Sequence, residues 1–340
     1  MGSFRYFKFR YRPFPPNGLS PLKTQPPSLK CRCRTVPIES SSLSSSSSSS
    51  TLRCENKKDK VLVIMGATGC GKSSLAVELA SRIERQAEIV NSDKMQVYNG
   101  LDITTNKISM QDRKGIRHHL IGAVDSSHHP DFTAADFRLV GGTIISDLSS
   151  NGKLPIIAGG SNSFVQALLA DKWDEGSDPS LLGLRYDCCF LWVDLEFPTL
   201  CRYLCERVDE MLSLGMLEEL EQFFSDGSAT ALQPGIGIMK AIGVPEFDGF
   251  FQRYPPSRAS ERQQAFEQAV ASIKDNTCQL ARRQLEKIAR LRDVAGWRLR
   301  RVDATKAVEM KMGKDRRWVG TWEDEIVEPS IDIVKKLLDV

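Results

Sequence analysis

A chain of 340 residues is long enough for one large domain or two small ones, and 41% hydrophobic with 26% charged residues is the composition of an ordinary globular protein. The formal net charge of +3 is too small for an overall attraction to DNA or RNA, and its excess lies in the first 38 residues, which hold no acid. No window approaches 18 apolar residues, so no membrane span and no membrane partner are expected.

In chain order, residues 1–57 lack helical or strand periodicity. A basic, proline-broken stretch (Arg5 to Arg34) runs into the serine tract Ser40–Ser50, interrupted only by Leu43. Rich in Arg and Ser and poor in acids, this is the composition of an organelle transit peptide without the apolar centre of a secretory signal. The absence of an Arg-rich amphipathic helix favours a plastid address over a mitochondrial one. The folded part is expected over 58–340: a core sheet at 58–200, a mainly helical part at 201–300, and a C-terminal extension at 301–340.

Val61–Met65 is a short apolar run of strand length. It leads into Gly66-Ala67-Thr68-Gly69-Cys70-Gly71-Lys72-Ser73, and the helical pattern Leu75, Leu79, Ile83 follows. Strand, G-x-x-x-x-G-K-S and helix together form a phosphate-binding loop, or P-loop. Glycines let several N–H groups face one anion, and the helix N-terminus adds positive potential. Lys72 supplies a mobile charge, and the Ser73 hydroxyl is a ligand for Mg2+, the expected cofactor.

Strands and helices alternate beyond it. Ile89–Val90 is a strand ending at Asp93; Ala134–Leu148 is a helix; Pro155–Ala158 is a strand closed by Gly159-Gly160. Phe164–Leu169 is helical, Cys188–Val193 is a strand, Thr199–Leu214 is a helix, and a long helix spans about Arg258–Asp293. This is an α/β chain with a P-loop NTPase-like parallel sheet flanked by helices, its ligands beyond the strand C-termini. The nine cysteines lack the paired spacing of a zinc site and read as buried thiols.

Two chemistries fit a P-loop at this point: phosphoryl transfer from ATP, or another reaction of a diphosphate ester. A kinase wants a second acid for magnesium, and Asp194, after Phe190–Val193, offers one. Asp93 is the better candidate for chemistry, although a strand-end aspartate also serves as a cap.

Further motifs narrow the choice. The run Asn91-Ser92-Asp93-Lys94-Met95-Gln96-Val97-Tyr98 resembles the second motif of the isopentenyltransferases that prenylate adenine N6. His118-His119-Leu120, Phe132–Phe137, Pro155–Ser161, Arg207–Met211, Lys240–Gly243 and Thr277–Gln284 follow in that family's order. The resemblance implies a helical C-terminal part closing an acceptor channel, and a P-loop that holds the prenyl donor's diphosphate. Lys72, the Gly69–Ser73 backbone, magnesium and Lys240 would then stabilise the leaving group. Asp93 would be the general base. Thr133, Ser161, Lys274, Gln279 and Arg283 are candidate acceptor contacts, although Thr133 also opens a helix where a capping hydroxyl is expected. His118 and His119 are read as positioning their loop.

The family prenylates either tRNA or free adenine nucleotides. The interval from Gly160 to Arg207 is less than half of that in bacterial tRNA enzymes, and Thr277-Cys278-Gln279 lacks the arginine of the tRNA-type helix motif. The resemblance therefore implies dimethylallyl diphosphate as donor and ATP, ADP or AMP as acceptor. No tRNA partner is expected, and the protein is expected to be a monomer. A tRNA dimethylallyltransferase and a small-molecule kinase are the alternatives.

Overall fold

A computed structural model describes residues 58–174, 176, 183–225, 232–253 and 259–339. The transit-peptide reading of residues 1–57 lies outside the described residues.

Six parallel strands form one sheet: β1 (Lys60–Met65), β2 (Ala87–Asn91), β3 (His118–His119), β4 (Leu154–Ala158), β5 (Asp187–Asp194) and β6 (Leu299–Asp303), in the order β3-β2-β4-β1-β5-β6. Helices cover both faces, so the successive residues Val61–Met65 of β1 are all buried. Leu62 and Ile64 pack with Leu75 and Leu79 of α1 (Lys72–Arg82). Val61, Val63 and Met65 face Phe137 of α2 (Ala134–Ser150) and Phe164 of α3 (Asn162–Leu169). Each such aliphatic side chain contributes about 1.5–3 kcal/mol on burial.

Beyond β5 come α4 (Phe197–Ser213), α5 (Met216–Ser225), α6 (Val244–Arg253) and α7 (Ala259–Asp293). α7 packs against α4 and α6. Its buried side chains Thr277, Ala281, Gln284, Ile288 and Leu291 recur at four- and three-residue steps, one stripe of a helix.

The C-terminal residues 301–339, within the segment read from the sequence as an extension, are built into the fold. β6 pairs with β5 from Phe190↔Leu299 to Asp194↔Asp303. After it come α8 (Thr305–Met312), α9 (Trp318–Trp322), a π-helical turn (Glu323–Val327) and α10 (Glu328–Leu338). Ile326, Val327, Ile331 and Val334 bury against the α1 face of the sheet. The strand is hidden in the sequence because three of the five residues Leu299-Arg300-Arg301-Val302-Asp303 are charged and exposed, which an edge strand tolerates. β3, two residues long, is too short for any periodicity to show.

Candidate active site

The P-loop joins β1 to α1, and three of its glycines have positive φ: Gly66 at 152°, Gly69 at 84° and Gly71 at 91°. A Cβ on Gly66 would overlap the Val193 carbonyl, and one on Gly71 would meet the Trp322 ring at 2.5 Å. Backbone conformation and close approach both require glycine there. Lys72 is buried, its Nζ donating to the Ala67 carbonyl at 2.6 Å. Ser73, in the first turn of α1, is exposed, and its hydroxyl makes no hydrogen bond among the described residues. Burial pushes the Cys70 thiol up, with Lys72 acting against it.

Asp93 follows β2, beside the turn after β4. Its Oδ1 accepts from Met95 N at 2.9 Å and Gln96 N at 3.3 Å, an Asx-type turn. A Cβ on Gly159 would overlap the Ser92–Asp93 backbone, which explains the first glycine of that turn. A Cβ on Gly160 would lie 3.3 Å from Asp93 Oδ2 and 2.6 Å from Gln284 Nε2.

Two residues that the sequence placed in motifs without assigning them a role complete the site. Gln284, on the buried stripe of α7, accepts from Thr68 N at 2.8 Å and donates to Gly160 O at 2.8 Å. Its side-chain amide therefore ties the P-loop to the turn beside Asp93. Arg207 of α4 is half-buried, and its Nη2 donates to Thr68 Oγ1 at 3.1 Å. Burial works against its charge, opposed by Tyr203 and then Asp93. Its Nε is buried without a partner among the described residues. One sequence signal could have found both: a polar residue in phase with an apolar stripe, Arg207 with Leu200, Leu204 and Met211, and Gln284 with Ala281 and Ile288.

The weaker candidates are placed as follows. Thr133 closes a capping box, donating to Asp136 Oδ2 at 2.7 Å and accepting from Asp136 N at 3.2 Å. Ser161 Oγ accepts from Lys94 N at 2.9 Å, which holds the backbone next to Asp93. Lys274 pairs with Asp209 at 2.6 Å. Gln279 donates to Asp275 one turn earlier on α7, and Arg283 is exposed on the same helix. Lys240 ends the short 3-10 turn Gly237–Lys240, exposed and without a hydrogen bond among the described residues. Its place is on the Tyr98–Pro130 side, where Gly237 packs.

Asp194, the kinase-type acid, is engaged by Arg301 at 2.7 Å. His119 donates to or accepts from Glu88 at 2.7 Å, inside the structure and away from the P-loop. A surface groove of about 850 Å3 along α2, lined by Arg138, Leu139, Trp173 and Arg185, contains none of the candidate catalytic residues.

The IPP transferase family model matches residues 96–181 and 170–290. The chain is 50% identical over 301 residues to adenylate isopentenyltransferase 1, chloroplastic, of Arabidopsis thaliana, covering 84% of this chain and 83% of that one. It is 48% identical over 302 residues to an adenylate isopentenyltransferase of Humulus lupulus, covering 81% and 89%. Among solved structures, a eukaryotic dimethylallyltransferase acting on tRNA superposes with a TM-score of 0.67 at 25% identity, covering 83% of this chain and 80% of that one.

Proposed function

The chain belongs to the IPP transferase family, and we propose that it moves a dimethylallyl group from dimethylallyl diphosphate to N6 of an adenine nucleotide, ADP or ATP before AMP. Diphosphate is released, and the product is a cytokinin precursor. The observation that carries this reading is the half-buried Arg207 guanidinium against Thr68, with a buried Nε unpartnered among the described residues and with Asp93 close by. A partly desolvated cation beside a P-loop suits an anion whose charge grows during reaction.

Adenine N6 is a weak nucleophile because its lone pair is delocalised into the ring. Attack at C1 of the donor is helped when the C1–O bond loosens and allylic cation character develops. Negative charge then builds on the departing diphosphate, where the P-loop N–H groups, Lys72 and Arg207 stabilise it more than in the ground state. Gln284 keeps Thr68 N fixed to the Gly160 turn, so the cradle and Asp93 hold one spacing. Asp93 takes the N6 proton as the new C–N bond makes that proton acidic. Its Oδ2 is the oxygen nearer Gly160, while Oδ1 is occupied by the turn.

Ser73, with an exposed hydroxyl one residue after Lys72, fits a magnesium ligand, and the ion would supply further charge to the leaving diphosphate. Lys240, exposed at the end of its 3-10 turn, is a further candidate cation for the leaving diphosphate. The Arg- and Ser-rich residues 1–57, together with the chloroplastic relative, support a plastid address.

Incubating the full-length protein with dimethylallyl diphosphate and AMP, ADP, ATP or unmodified tRNA tests the reading by mass analysis of the products. N6-prenylated ADP and ATP are expected. Prenylation of tRNA alone overturns it in favour of the tRNA enzyme, and ATP consumption without prenyl transfer overturns it in favour of a kinase.

A further inference from the structure

α4 and α7 run antiparallel, and two contacts fix their register. Arg282 lies over the Phe197 ring at 4.8 Å, and Lys274 pairs with Asp209 at 2.6 Å. Cys278 falls midway between these contacts. Opposite it on α4 are Cys201 and Cys205, one helical turn apart. The Cys278 thiol points at the Cys201 carbonyl from 3.9 Å, and Cys201 and Cys205 both act on its ionisation. All three are free and half-buried. Among the described residues no group of His, Cys, Asp or Glu is arranged to hold a metal ion, so metal ligation does not account for the trio.

The same two helices meet at one residue of the P-loop. Arg207, two residues beyond Cys205, donates to Thr68 Oγ1, and Gln284, six beyond Cys278, accepts from Thr68 N. Leu204, beside Cys205, packs on Gly69. We propose that the trio is a redox modification site: Cys278 forms a disulfide with Cys201 or Cys205, and the bridge lowers activity by shifting the helices that clasp Thr68. A disulfide holds its sulfurs at about 2.05 Å and confines its Cα separation and dihedral to a narrow range, so a bridge constrains the relative placement of α4 and α7 at the trio. Hydrogen bonds to Thr68 weaken steeply with angle and distance, and they lie within two turns of the bridge.

The chemistry balances as thiol–disulfide exchange with a low-molecular-weight disulfide such as glutathione disulfide. An α4 thiolate attacks one sulfur of that molecule, forming a mixed disulfide and releasing one glutathione. Cys278 then attacks the α4 sulfur and releases the second. Two electrons and two protons pass from the cysteine pair to glutathione. Burial, and after it the neighbouring thiols, push the Cys278 thiol up to about 12. Once the α4 sulfur is capped it carries no negative charge to oppose ionisation of Cys278.

The test equilibrates the full-length chain in glutathione buffers from reducing to oxidising, then maps alkylated peptides and assays prenyl transfer in parallel. Expected are a cross-linked peptide joining Cys278 to Cys201 or Cys205 and a fall in kcat/KM of the order of tenfold, both reversed by dithiothreitol. Cys278→Ser should keep its activity in every buffer, although Cys70 remains in its P-loop. Cys201→Ser and Cys205→Ser identify the partner thiol. Three alkylated thiols under oxidising conditions overturn the proposal. So does a Cys278→Ser variant that loses activity in step with the parent, or a mapped bridge that leaves activity unchanged. The activity arm rests on the prenyl-transfer reading; the mapping arm reads the bridge whatever reaction the chain performs.

Discussion

Asp93 has its two carboxylate oxygens in different employment. Oδ1 closes a turn by accepting from Met95 N and Gln96 N, and Oδ2 faces Gly160. Asn in its place retains an oxygen acceptor for the turn but no longer takes a proton. Asp93→Asn should therefore lower kcat by about 10²–10⁴ while KM for the prenyl donor and the melting temperature hold nearly constant. Steady-state kinetics with calorimetry checks this, and a variant that instead raises donor KM with normal kcat would make Asp93 a binding residue. At this scale the sequence was readable where local chemistry dictates residue type. The P-loop glycines and Asp93 follow from strand, turn and helix signals within a few positions. Gln284 and Arg207 escaped because their partner, Thr68, lies 216 and 139 positions away in the chain. Helical phase alone marked them as polar residues on buried stripes.

Among the elements, the β3-β2-β4 side of the sheet carries a buried polar network. Glu88, 8% exposed and second in β2, bonds His119 of β3 at 2.7 Å and pairs with Lys153 just before β4. Burial raises the Glu88 carboxyl, but hydrogen bonds from Lys153 and His119 outweigh it and hold the group below its ordinary value. Burial holds His119 below its ordinary value despite Glu88, and burial likewise lowers His118. A group with a lowered folded pKa makes the unfolded chain bind more protons, so stability rises with pH through that interval. Both histidines thus lose stability as pH falls through their unfolded value of about 6.5, and Glu88 adds to the loss below its unfolded value of about 4.5. Urea midpoints measured at pH 7.5 and 5.5 should differ by about 1 kcal/mol or more in stability, with less stability at the lower pH. His119→Gln should flatten that dependence, leaving the part due to His118. Equal midpoints at the two pH values in the parent protein would show that the histidines are protonated as easily folded as unfolded. The positions of β2 and β4 could be read from apolar runs. The network could not, because Glu88 is a charge within a strand otherwise made of apolar neighbours, and its partners come from other segments.

At the scale of the molecule, the last forty residues decide whether the P-loop has a rigid support. The sequence reading set them apart as an extension, yet they complete the sheet's β6 edge and cover the α1 face. Val302, Ala304, Ala307 and Val308 enter that core first, and Ile326, Val327, Ile331 and Val334 close it over Leu62, Ile64, Leu75 and Leu79. Trp322 lies over Gly71, and the neighbouring Glu323 pairs with Arg82 at the far end of α1. Removing the segment after Trp297 exposes the edge of β5 and the aliphatic face of α1 together, an unpaired strand beside an apolar patch. With each lost aliphatic contact costing about 1–3 kcal/mol and total domain stability only about 5–15 kcal/mol, the loss exceeds what the remaining fold can absorb. A chain ending at Trp297 should accumulate in the insoluble fraction and show no cooperative melting transition. The milder Ile331→Ala should fold, with a melting temperature lowered by several degrees and donor KM little changed, since Ile331 is in the core and not on the loop. Calorimetry on both separates the two roles. A truncated chain that melts cooperatively within a few degrees of the parent would return these residues to the status of an appendage, and Trp322 would then have to be dispensable to the P-loop it covers.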